Sequence, residues 1–364
     1  MHNDLKYKIG ITLIDGIGDI TAKKLIAYCG GVEAVFLEKK SALLKIPDVG
    51  RTAANAVVTQ SVLSKADREI EFIRKRNINP LFYLDDDYPQ RLKYCDDSPV
   101  MLYCAGNMDL NRKRMVSIVG TRSATPHGKK LCEDLVAQLK HNNVSIISGL
   151  AYGIDITAHK AAVRNGVETC AVVAHGHDRV YPDLHSGILQ RMYEKGGLVT
   201  EFVSGTKPDR ENFPKRNRII AGLSDAVVVI ESAKKGGSLI TAEIANSYNR
   251  DVFAVPGRLS DEYSTGCNWL IKTNKAVLLE STKDLEYIMG WEEKGKKPVA
   301  QKKLFLKLKP EERILVELLA EQKLGIDMLC LKSQLSTSKV AATLTNLEFS
   351  GVVTCLPGKV FQLN

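Results

Sequence analysis

The side chains with most chemistry to offer crowd into the stretch from Thr200 to Ser224, where Arg210, Phe213, Lys215, Arg216, Asn217 and Arg218 precede the apolar pair Ile219-Ile220. The apolar pair predicts a helix, with the cations at its start. There they oppose the helix dipole unless an anion compensates them, so the site reads as built for an anion. Phe213 beside them offers a ring on which a base can stack, the contact that holds single strands without sequence preference. Three further loops follow short apolar runs: Gly120-Thr121-Arg122-Ser123, then Ser148-Gly149 leading to Gly153-Ile154-Asp155, then Glu231 to Ser238 with Lys234, Lys235, Gly236, Gly237 and Ser238. Glycine and serine there leave backbone N–H groups free for a phosphate, and Arg122 adds a planar fork of donors. Neither G-x-G-x-x-G nor the P-loop G-x-x-x-x-G-K-[ST] is present, so the dinucleotide and ATPase signatures are missing.

Other groups carry less. His175, His177, Asp178 and His185 lie near a strand end, but alternate spacing without a further ligand set argues against a metal or acid–base site. Asp155 and His159, at i and i+4, read as a pair on a helix surface. Glu201, Glu231 and Glu243 are candidate catalytic carboxylates by position only, and they keep one rival open, a nucleotide-processing hydrolase of phosphoribohydrolase type. The favoured reading has no catalytic residue, no metal and no cofactor.

These loops need a frame. From Met115 to Leu279 short β-branched runs alternate with amphipathic stretches: Met115 to Val119, Val144 to Ile147, Cys170 to Val173, Leu198 to Glu201, Ala226 to Ile230, Val252 to Val255 and Ala276 to Leu279. That pattern predicts an α/β, Rossmann-like, doubly wound and mostly parallel sheet over 111–290, whose ligands bind at the carboxyl ends of the strands. Ahead of it, 67–110 reads as a connecting layer. Over 1–66, two matching turns, Asp15-Gly16-Ile17-Gly18 and Pro47-Asp48-Val49-Gly50, resemble a tandem helix-hairpin-helix (SAM-like) unit, with Gly18 and Gly50 permitting the tight turns. It is either a backbone-phosphate binder or a packing module, since Asp15, Asp19 and Asp48 flank the turns. A Lys-rich linker spans 291–309. Three helices and a hairpin turning at Pro357-Gly358 make 310–364 a winged helix, with Ser336 capping a last helix whose one cation is Lys339.

Composition sets the bounds. With 364 residues, 44% hydrophobic and 26% charged, the chain is a folded protein, and its length suits about two or three domains. The balance of 51 Lys plus Arg against 42 Asp plus Glu, a net +9, suits a polyanionic partner. The eight cysteines lie far apart with no CxxC pair, which reads as reduced core thiols in a cytoplasmic protein. No secretion signal or apolar membrane span is visible.

Taken together, Ile118-Val119-Gly120-Thr121-Arg122, Ser148-Gly149-Leu150-Ala151-Tyr152-Gly153-Ile154-Asp155, Asp178-Arg179-Val180-Tyr181-Pro182, Phe213-Pro214-Lys215-Arg216-Asn217-Arg218, Gly237-Ser238-Leu239-Ile240-Thr241 and Gly266-Cys267-Asn268 resemble the DprA family of DNA-processing proteins, also called Smf. The resemblance runs over nearly the whole chain. It implies a homodimeric protein that binds single-stranded DNA, protects incoming strands and loads the RecA recombinase in natural transformation. It further implies that Arg122, Arg210, Lys215 to Arg218 and Lys235 to Ser238 line the strand pocket, and that Asn268, Trp269, Leu270 and Ile271 belong to the dimer and recombinase-facing surface.

Overall fold

The computed structural model describes residues 2–292, 308–356 and 359–363, in two compact units that divide after Glu292. The first unit is built on a nine-stranded sheet. Its strands are β1 (Asn79–Phe82), β2 (Met101–Gly106), β3 (Met115–Val119), β4 (Ser145–Ser148), β5 (Glu168–Val172), β6 (Gly196–Thr200), β7 (Ala226–Val229), β8 (Asp251–Ala254) and β9 (Val277–Leu278), in the order β1-β2-β6-β5-β4-β3-β7-β8-β9. From β6 to β9 every pairing is parallel, with Val116 opposite Ile146 on one side and Ala226 on the other. The central strands are buried along their whole length, which is why they read as short, largely apolar runs, and the hydroxyls of Ser117, Ser145 and Ser148 within them are hydrogen-bonded.

Period-two alternation assigns the faces. Met115 and Val119 point toward helices Asn212–Leu223 and Gly237–Ser247, whereas Val116 and Ile118 point toward helices Pro126–Leu139 and Ile154–Asn165. The stretch expected as a connecting layer contributes β1 and β2, which extend the sheet antiparallel from β6. Pro80 sits in β1, at the edge of the sheet, where its missing N–H is tolerated. Met101 and Tyr103 of β2 carry the amino-terminal helices, whose Ile9, Leu25, Val35, Leu43, Val57 and Ile70 close over them.

Both hairpin turns are present, each leading into a helix, Asp19–Cys29 after Gly18 and Arg51–Thr59 after Gly50. The strained residue is not the one expected. Gly18 and Gly50 have ordinary extended backbone, and the left-handed conformation falls two residues earlier, at Gly16 (φ 77°) and Asp48 (φ 62°). Aspartate is among the few side chains that tolerate this region, so the second turn needs no glycine there.

The second unit has helices Pro310–Glu321, Ile326–Ser333 and Thr337–Phe349 with β10 (Leu324–Gly325), β11 (Val353–Leu356) and β12 (Val360–Leu363), the sheet running β10-β12-β11. Leu315, Leu329, Val340, Leu344, Leu347 and Phe361 form its core, the make-up of a winged helix. Ser336 stands at the N-cap but makes no side-chain capping bond. Most of the Lys-rich stretch, and the Pro357-Gly358 turn, lie outside the described residues. Trp291 does not belong to a linker: it is buried against the sheet's helical layer, with the Arg114 guanidinium 5.3 Å from its ring centroid. Among the described residues no helix is long and apolar enough to cross a membrane.

Candidate nucleic-acid interface

The chain leaves β3 in one direction to build β4, β5 and β6, then returns to build β7 and β8 on its other side. The loops after β3 and β7 therefore diverge and open a crevice, the place where doubly wound sheets take their ligands. A cavity of about 370 Å³ occupies it. Its walls come from Gly120, Thr121 and Arg122 after β3, from Lys235, Gly236, Gly237 and Ser238 after β7, and from Arg210, Phe213 and Asn217 at the head of the helix between β6 and β7. The backbone ties the walls together: Thr121 N–H donates to the Glu231 carbonyl (2.7 Å), and Ile154 N–H donates to the Thr121 carbonyl (3.2 Å). Gly153, at φ 77°, passes so close that a Cβ would collide with the carbonyl oxygens of Thr121 and Arg122.

Helical periodicity divides the cationic run. Phe213, Asn217 and Ile220 recur at i, i+4 and i+7 and face the cavity, whereas Lys215 and Arg218 turn to a second cavity of about 550 Å³ shared with Gly18, Asp19 and Glu201. Arg218 is engaged there by Asp19 (3.0 Å) and Glu201. Arg218, expected in the strand pocket, instead has its charge answered by protein carboxylates. Asp19 also accepts the Val100 N–H (2.7 Å), so the first hairpin is docked through the acid that flanks its turn.

Arg216 touches the cavity but is 4% exposed. Its Nη1 donates to the carbonyls of Gly149 (2.7 Å) and Val172, and burial, offset by the Asp155 carboxylate, lowers its pKa to about 10. It braces the floor of the crevice. Ser148 and Gly149, expected at the phosphate, belong to that floor: Ser148 is fully buried and its Oγ donates to the Ile118 carbonyl (2.6 Å). Asp155 and His159 are no surface pair. Both are buried, Asp155 faces Arg216 with its carboxyl pushed up by desolvation, and His159 Nδ1 meets Thr169 Oγ1 (2.7 Å) with burial lowering its pKa to about 3.

What remains in the crevice is exposed positive charge. Arg122, Arg210 and Lys235 are exposed, and the ion pairs of the described residues leave all three without a carboxylate. The Arg122 guanidinium stands 5.1 Å from the centroid of half-buried Phe213, and Arg216 stands 6.0 Å from it, a cation–π cluster at the cavity wall. The helix starting at Gly237 has no side-chain cap, so its first N–H groups open toward the same space.

The carboxylates proposed for catalysis lie elsewhere. Glu231 accepts from Thr125 N–H (2.9 Å), Glu243 pairs with Lys275 (3.0 Å) on the surface, and Glu201 belongs to the second cavity, where burial pushes its pKa up to about 7. His175, His177 and His185 each spend a ring nitrogen on a backbone carbonyl, of Gly176, Tyr103 and Leu150 respectively. In the expected dimer surface, Leu270 is core and Asn268 is bonded to both polar groups of Gly257, while Trp269 is 38% exposed.

The family model described as DNA recombination-mediator protein A matches residues 79–289, and the DprA winged helix domain matches residues 305–359. The chain belongs to the DprA/Smf family. It is 42% identical to the DNA processing protein DprA of Streptococcus pneumoniae over 202 residues, covering 56% of this chain and 71% of that one. Protein Smf of Escherichia coli K12 is 32% identical over 333 residues, with 85% and 87% covered. Among solved structures, S. pneumoniae DprA superposes with a TM-score of 0.67 at 32% identity over 78% of this chain and 97% of that one. A DNA processing protein A of Helicobacter pylori, solved for its single-stranded DNA binding mode, gives 0.53 at 28% identity over 58% and 95%. The matched DprA region, 79–289, begins at β1, so the family model also takes in the two antiparallel strands.

Proposed function

We propose that this DprA/Smf protein binds single-stranded DNA in the switch-point crevice and is not an enzyme. The carrying observation is the set of unpaired cations Arg122, Arg210 and Lys235 around the ring of Phe213. Phosphates lie against the open N–H groups of 236–238 and these cations, and a base lies on the aromatic wall, an arrangement that ignores base identity. The H. pylori relative, described by its single-strand binding, supports the same class of ligand. In this reading 111–290 is the DNA-binding domain, 1–66 the hairpin domain and 310–364 a winged helix that contacts protein rather than a groove. As in the family resemblance, the protein works as a homodimer in the cytoplasm, protects incoming strands in natural transformation and hands them to RecA. Its eight cysteines are all free thiols, which suits a reducing compartment.

The test is binding of labelled oligothymidine, single-stranded and duplex, to wild type, Arg122→Ala and Arg210→Ala/Lys235→Ala across a salt series. The expected result is a single-strand preference, with the slope of log K against log salt falling by about 0.7 for each phosphate contact removed. Wild-type binding by both variants would move the DNA site out of the crevice. RecA filament formation on coated strands is the next assay.

A further inference from the structure

A second cleft adjoins the crevice, and Arg122 lines both. It holds about 470 Å³ between the head of helix Pro126–Leu139 and the loop Gly149–Gly153, and its other walls include Tyr152, Lys129, Lys160 and His185. Nothing in the site described above accounts for these groups. Tyr152 interrupts a run of small and apolar residues and is 45% exposed, although its neighbours Leu150 and Ile154 are fully buried. Its ring meets that of His185 in a T-shaped contact, with centroids 5.1 Å apart and planes at 71°. His185 is itself fixed, because it is buried and its Nδ1 is bonded to the Leu150 carbonyl at 2.8 Å. A solvent-facing aromatic on a rigid mount is a platform on which a base can stack.

Charge points the same way. Lys129 lies near the start of its helix, where a cation opposes the dipole, and Lys160 lies on the facing helix Ile154–Asn165. Both are exposed and neither has an ion-pair partner among the described residues, whereas the adjacent Lys130 is matched by Asp134 at 2.7 Å. The acid of the cleft, Glu133, is committed to Arg164 at 3.1 Å. The wall between the cleft and the crevice is the 121–122 loop pinned on Gly153, so the two spaces keep a fixed separation.

We propose that this cleft is a second nucleotide subsite, in which a base stacks on Tyr152 while Lys129 and Lys160 take flanking phosphates. The strand leaves the crevice past Arg122, whose guanidinium serves both spaces. This rests on the single-strand reading of the crevice and extends it by giving the bound strand a direction across the surface.

The test uses the full chain and oligothymidines of about 4 and about 12 nucleotides, which fill respectively the crevice alone and the crevice with the cleft. Tyr152→Ala is expected to weaken the longer oligomer by about ten-fold and to leave the shorter one unchanged, and Tyr152→Phe to restore the loss. Lys129→Ala/Lys160→Ala is expected to lower the salt slope for the longer oligomer by about 1.4, two phosphates at about 0.7 each. If Tyr152→Ala and the lysine variant bind the longer oligomer like wild type while Arg210→Ala/Lys235→Ala loses it, the subsite is overturned and the crevice stands. Equal losses on both lengths also overturn it, since Tyr152 would then act on the crevice. Wild-type binding by Arg122→Ala and by Arg210→Ala/Lys235→Ala as well removes the crevice reading and the subsite with it.

Discussion

Arg122 and Arg216 approach the same ring of Phe213, yet one is exposed and the other lies beneath the floor. Their substitutions should therefore separate. Arg122→Ala removes a surface cation with no carboxylate partner, so it is expected to weaken DNA binding while changing stability by less than about 0.5 kcal/mol. Arg216→Ala strips Asp155 of its buried counter-charge and leaves two carbonyls unbonded, and a loss of about 3–5 kcal/mol is expected in urea unfolding. A wild-type midpoint for Arg216→Ala would sink the bracing role. Protonation gives a second prediction at this scale. His159 is held neutral with a pKa lowered to about 3, whereas in the unfolded chain it takes a proton near 6.5. Its contribution is thus present above about pH 6.5 and lost as pH falls, at about 1.4 kcal/mol per pH unit. Glu201, pushed up to about 7, works in the opposite sense, because the folded form gains a proton first and is favoured as pH falls toward the unfolded carboxylate value. The wild-type profile mixes these two with the lowered pKa values of His175, His177 and His185 and the raised one of Asp155. The difference between wild type and His159→Asn isolates the histidine, and unfolding at pH 6 and 5 should show the variant less acid-sensitive.

The helix Asn212–Leu223 shows what a sequence motif reveals and what it hides. The cations at its head were legible as an anion site because the dipole makes them unfavourable alone. Which anion answers which cation was not legible, since Glu201 and Asp19 approach from β6 and from the amino-terminal hairpin, distant in sequence. The parallel strands could be read because both faces are buried and the runs are short and largely apolar. By contrast β1 is a short edge strand interrupted by Pro80 and only half buried, so it lacks that signature, whereas β2 carries it in Met101 to Cys104 and differs in pairing antiparallel. Tyr152 belongs to the motif Ser148 to Asp155, but only the structure shows that its ring is left outside the core. The split of the helix predicts unequal effects for variants of equal charge. Arg210→Ala/Lys235→Ala removes cations at the crevice, whereas Lys215→Ala/Arg218→Ala removes one exposed lysine and one paired arginine on the other face. At equal net charge the first should lower single-strand affinity at least ten-fold more than the second, since each lost contact is charge-assisted and worth about 1.5–3 kcal/mol. Equal losses from the two pairs would mean that binding follows overall charge and not the crevice.

At the scale of the molecule, the net +9 is a property of the whole chain, and it is the distribution that decides which unit is suited to a strand. The first unit concentrates unpaired cations at a concave, glycine-lined edge. The second unit's helix Thr337–Phe349, which a winged helix would present to a groove, carries Lys339 alone, and that lysine is already paired with Glu311 at 2.9 Å. Groove insertion depends on phosphate contacts flanking the helix and on several side chains reaching base edges, and this helix offers little for either. Truncation after Glu292 is therefore expected to keep single-strand affinity within about three-fold of the full chain, because the first unit retains its own core and the whole crevice. Its salt slope should fall by less than about 0.7, the share of one phosphate. Anisotropy of labelled oligothymidine with both forms measures this directly. A loss of most affinity on truncation would make the winged helix, or the lysines that precede it, the principal DNA contact, and the crevice would then have to bind something smaller than a strand.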